Sequence, residues 1–76
     1  MNNKRRDNLR EALALLSRAT DMVARARDDE QDALDSCPEN LEGSDRYEKT
    51  EEAVDKLSEA EGLMEDARTC VQDAMV

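Results

Sequence analysis

Two ladders of alanine at intervals of seven constrain this chain more than any other feature. Ala12, Ala19, Ala26 and Ala33 form one; Ala53, Ala60, Ala67 and Ala74 form the other. A strand alternates faces every two residues and cannot hold a seven-residue period on one side, whereas an α-helix returns to nearly the same face after two turns. Leu9, Leu16 and Val23 accompany the first ladder, and Leu57, Met64 and Val71 the second. The resulting three-then-four spacing is the a/d pattern of a helix packed along its length against another helix. The sequence therefore predicts an all-α chain, with these alanines and their larger neighbours as the helix–helix packing positions.

Pro38 has no amide to donate and pushes Cys37 out of helical geometry, so the first helix is expected to close just before it. Ser44 is placed as the N-cap of a second helix, with Asp45 and Glu48 near its positive end. This predicts one domain over residues 1–76: a helix over about 3–36, a turn over about 37–43, and a helix over about 44–75. At about 1.5 Å per residue each helix is on the order of 50 Å long.

Equal helices joined by a short turn make an antiparallel hairpin. Pairing Ala12 with Ala74, Ala19 with Ala67, Ala26 with Ala60 and Ala33 with Ala53 gives residue numbers that sum to 86 each time, centred on Gly43. In that register Arg27 is expected to meet Glu59, Arg25 to meet Glu61, and Glu30 to meet Lys56. Further apolar residues widen each face. Leu15, Met22, Leu13 and Leu34 do so on the first helix, and Leu63, Cys70, Val54 and Met75 on the second. An arc of about 180° is too wide for one partner helix to cover. The expected closure is a homodimer in which two hairpins form a four-helix bundle.

Composition narrows the function. With 76 residues, no Phe, no Trp, no His and one Tyr, a large globular core is excluded, and a core of this size holds only a few kcal/mol without a second copy or a staple. No His and only Gly43 and Gly62 leave no phosphate loop, no nucleophile–base motif and no Glu-x-x-His metal motif. Asp28, Asp29, Glu30, Asp32 and Asp35 lie around a predicted helix without EF-hand spacing and read as a solvated face. No enzyme activity, metal or cofactor is expected. Cys37 and Cys70 read as reduced thiols. No apolar run is long enough to span a membrane and no signal peptide opens the chain, so it reads as cytoplasmic.

Charge divides unevenly. Residues 1–27 carry seven basic and three acidic groups, and residues 28–76 carry four basic and seventeen acidic, for a net charge of −9. Lys4, Arg5, Arg6 and Arg10 form a basic cluster, and in outline the chain resembles the Rop-type RNA-binding hairpin, which dimerises into a four-helix bundle. Net negative charge and the lack of aromatic stacking platforms oppose nucleic-acid binding. Acids displayed along a rod can instead attract a basic protein surface, or can serve solubility alone. Candidate partner-binding residues are Tyr47, the only aromatic, with Glu51, Glu52, Asp55 and Glu59. Gly62, mid-helix and opposite the alanines, costs about 1 kcal/mol relative to Ala unless a partner approaches there.

The run Arg27-Asp28-Asp29-Glu30-Gln31-Asp32-Ala33-Leu34-Asp35, followed by Pro38-Glu39-Asn40-Leu41, Ser44-Asp45-Arg46 and Glu51-Glu52-Ala53-Val54-Asp55, resembles small helical-hairpin proteins of phages and prophages of Gram-positive bacteria. Their pattern reads RDEEQ, PENLQ, SER and EEA. The likeness covers about residues 27–60, with Tyr47 and Glu42 departing from it. It implies a mobile-element origin, a hairpin shape and a host cytoplasm, with no assigned activity. The expectation is a non-enzymatic, homodimeric interaction protein, its specific form an acidic inhibitor or nucleic-acid mimic acting on a host protein. The alternative is a Rop-like RNA-binding regulator that uses the basic amino-terminal helix.

Overall fold

No Pro or Gly interrupts the first helix before the turn, and Gly62 is the one such residue inside the second. In the computed structural model, which describes residues 1–76, α1 spans Asn3–Asp35 and α2 spans Asp45–Ala74, with no strand. Both starts are capped by side chains: Asn2 Oδ1 accepts from the Arg5 amide at 2.8 Å, and Ser44 Oγ accepts from the Tyr47 amide at 3.2 Å. The turn tightens into a single 3-10 turn, Glu39–Leu41, after Pro38. Gly43 then sits at φ +86°, a left-handed conformation that a side chain would strain. The expected boundaries hold to within a residue at every end.

The helices pack antiparallel as a hairpin with principal extents of 60 × 15 × 14 Å. Arg68 Nη1 donates to Ser17 Oγ at 3.4 Å, and the Arg27 guanidinium donates to the Glu61 carboxylate. The residue numbers of these pairs sum to 85 and 88, on either side of the expected 86.

Two details differ from the sequence reading. Arg27 pairs with Glu61, not Glu59; Arg25 and Glu30 make no interhelical pair; and Lys56 bonds Glu59 within its own helix at 3.5 Å. Long side chains reach past the residue directly opposite, and a neighbour one turn away offers Lys56 a pair that needs no ordering across the seam.

The second difference is where the seam lies. On α1 the central shielded line is Arg6, Leu9, Leu13, Leu16, Thr20, Val23, Arg27, Glu30 and Leu34, with Ser17 and Ala24 half-buried beside it; on α2 it is Tyr47, Thr50, Val54, Leu57, Glu61, Met64, Arg68, Val71 and Met75. Each set keeps three-four spacing. The alanine ladders flank it: Ala12, Ala19, Ala53 and Ala60 are half-buried, while Ala26, Ala33, Ala67 and Ala74 are exposed. Burial is proportional to apolar area, so Leu13, Leu34 and Val54 gain more at the centre than alanines would. Even so, no apolar residue is fully buried, and the one buried side chain is Thr20, 5% exposed, whose hydroxyl donates to the Leu16 carbonyl at 2.7 Å.

Candidate functional site

An α-helix advances 100° per residue, so a set of positions one residue before every seam position forms a second stripe on one flank. On α1 that stripe is Arg5, Asn8, Ala12, Leu15, Ala19, Met22, Ala26, Asp29 and Ala33; on α2 it is Arg46, Lys49, Ala53, Lys56, Ala60, Leu63, Ala67, Cys70 and Ala74. Equal rotation about two antiparallel axes turns both stripes to the same side of the hairpin. A groove lined by Ala26, Asp29, Ala53 and Lys56, with Glu30 and Leu57 at its floor, shows them sharing that side. Leu15, Met22 and Leu63 on this face are 61%, 59% and 62% exposed. The other exposed large apolar residues, Met1, Leu41 and Val76, lie at the chain ends and in the turn.

The acids form a separate surface. Glu51, Glu52, Asp55 and Glu59 are all exposed, as are Glu48, Asp66 and Asp73; Glu48, Glu52, Asp55 and Glu59 recur at three- and four-residue steps, and Asp66 and Asp73 continue the same face at steps of seven. Gly62 falls within the same row, with nothing within 4 Å of where its Cβ would stand. No group of three or more His, Cys, Asp or Glu is placed to hold a metal ion.

Tyr47 is half-buried at the turn end, where it lines a cavity of about 350 Å³ with Leu34, Cys37, Pro38 and Leu41. Burial pushes its phenol up from its ordinary value of 10.0, and the charges of Glu42, Glu51, Cys37 and Asp35 push in the same direction. Tyr47 therefore closes the turn end of the hairpin beside Leu41 and stands apart from the outer acids Asp55 and Glu59. Cys37 and Cys70 are both free thiols.

The basic cluster is thinner than its sequence. Lys4, Arg5 and Arg10 are exposed, Arg10 bonded to Asp7 at 2.6 Å, and Arg6 is turned half inward with its Nε buried and unpartnered. Arg27 and Glu61 each make the cross-helix ion pair expected of them, but with each other and on the centre line, while the Thr20 hydroxyl lies at a position where periodicity alone anticipates an apolar residue. No helix is long and apolar enough to cross a membrane. A scan against protein-family models and searches of curated proteins and of solved structures return no match to this chain.

Proposed function

We propose that this is a non-enzymatic protein-interaction module of mobile-element origin. It works in the host cytoplasm as a homodimeric four-helix bundle, and its acid-covered outer surface engages a basic protein as an inhibitor or nucleic-acid mimic would. The observation that carries this reading is the exposed acidic row of α2, which runs from Glu48 to Asp73 without converging on a metal or a catalytic partner. Such a row gives a long-range field that steers a basic surface onto it. The likeness of residues 27–60 to phage helical hairpins supports the origin.

The dimer is supported by surface arithmetic. A compact monomer of 8.6 kDa exposes about 4,700 Å² by the usual scaling. The hairpin exposes 5842 Å² and has no fully buried apolar side chain. A second copy supplies the missing cover.

The test is capture of the tagged protein from a bacterial lysate, with and without nuclease, washed at low and high salt. A basic protein partner that survives nuclease, is lost at high salt, and is retained by Lys4→Ala, Arg5→Ala and Arg6→Ala is the expected result. RNA lost with nuclease and abolished by those three substitutions would replace this reading with the Rop-like one.

A further inference from the structure

We infer that two copies pack through the alanine-flanked face with their turns at the same end, so that Asp29 and Lys56 of both copies meet in one charged layer. The inference rests on the dimeric reading above and fixes its interface and topology. The register places stripe residues of the two helices at common heights: Leu15 with Cys70, Met22 with Leu63, and Asp29 with Lys56, separated by alanine layers. The groove that holds Asp29 and Lys56 together shows this directly at one of those heights.

A second copy is the occupant that fits this face. From Ala12 to Ala33, 21 residue steps, it runs about 32 Å at 1.5 Å per residue. With the hairpin's 15 Å breadth, two such faces cover roughly 1,000 Å², the threshold for a specific interface. From Ala12 to Ala33 and from Ala53 to Ala74 the face is apolar and small-residue-rich except for one acid and one base, with Arg46 and Lys49 beyond it at the turn end, so its own copy is complementary to it. Alanine layers admit close helix approach, and the larger layers fill the space between them.

Two symmetric packings bring these faces together. With turns at opposite ends, each stripe runs antiparallel to itself about Met22 and Leu63. That sets Asp29 beside Leu15 of the second copy and Lys56 beside Cys70 of the second copy. Each copy's Asp29 and Lys56 would then have only each other, under an apolar or thiol cover from the second copy, which is a poorer setting for two charges. With turns at the same end, every neighbouring pair of helices is antiparallel, and two Asp29 and two Lys56 side chains share one level with no net charge. Charge pairing selects the second packing.

The test has three arms. Sedimentation of the wild-type chain should give twice 8.6 kDa at micromolar concentration; a monomer mass throughout would remove the dimeric reading itself. A spin label at Asn40→Cys, in a chain also carrying Cys37→Ser and Cys70→Ala, should report a turn-to-turn distance within about three helix spacings of roughly 10 Å. A distance approaching the 60 Å length of the rod would keep the dimer and overturn this topology. Asp29→Lys and Lys56→Asp should each weaken self-association at least tenfold, and an equimolar mixture of the two variants should restore it as a heterodimer. A turns-apart dimer keeps the like-charged pairs at opposite ends, so failure of the mixture to recover also overturns the inference.

Discussion

At Tyr47 the acids of the turn and of α2 act on a single phenol. Its proton is held more tightly in the folded chain than in the unfolded one, where it dissociates near 10.0. The folded chain therefore binds more protons than the unfolded chain once pH passes that value. The stabilising contribution is complete below about pH 10 and is lost as pH rises through the folded value. Thermal melts from about pH 8 to 11 should show the parent losing melting temperature more steeply above pH 10 than Tyr47→Phe, which has no phenol to titrate. Equal slopes would mean that the phenol is as free as in the unfolded chain. Arg27 and Glu61 make a second residue-scale case, because both side chains are largely shielded in the seam. Arg27→Ala leaves a carboxylate there without its partner and should cost about 1–3 kcal/mol in urea unfolding. Arg27→Leu combined with Glu61→Leu replaces the pair by packed apolar groups and should return stability to the parent level or above.

The two glycines separate what a helix needs from what a turn needs. Gly62 lies inside α2 with open space where a side chain would stand, so Gly62→Ala should add about 1 kcal/mol and raise the melting temperature by several degrees. Gly43 also has open space, but its φ of +86° is hostile to any side chain, so Gly43→Ala should lower the melting temperature. Opposite signs from one substitution, read by circular dichroism, test whether the helix and turn are placed as described. The elements themselves were legible from local chemistry: Pro38 and Ser44 bracket the turn by what their backbone and side chain can and cannot bond. The seam was less legible, since two stripes one residue apart share the same seven-residue period and an alanine ladder is compatible with either. Area decides between them, because Leu13, Leu34 and Val54 bury more on the centre line than alanines do, and that competition is settled only when both helices are present. Asp29 and Lys56 were visible as residues, but their shared height on one face depends on the antiparallel register and the sense of rotation about each axis.

For the whole molecule, shape and charge make opposing demands that salt can separate. A radius of gyration of 17.3 Å, against about 11 Å for a compact chain of this length, leaves an elongated surface that a second copy would cover. Each copy carries a net charge of −9, so bringing two together works against mutual repulsion over distances comparable with the screening length, about 10 Å at 0.1 M salt. Added salt weakens that repulsion and, by excluding the apolar face from solvent no less effectively, leaves the packing contribution in place. Self-association should therefore strengthen as salt rises from about 20 to 500 mM, with a melting temperature that climbs with both salt and protein concentration. The proposed binding of the acidic outer row to a basic protein should have the reverse sign, because there the screened interaction is attractive. Sedimentation at fixed protein concentration across that salt range, repeated with the captured partner present, reads both slopes from one preparation. Opposite slopes would locate self-association on the apolar face and partner binding on the acids of α2. A dimer that falls apart with salt would instead place charge pairs, and not the alanine and leucine layers, at the centre of the assembly.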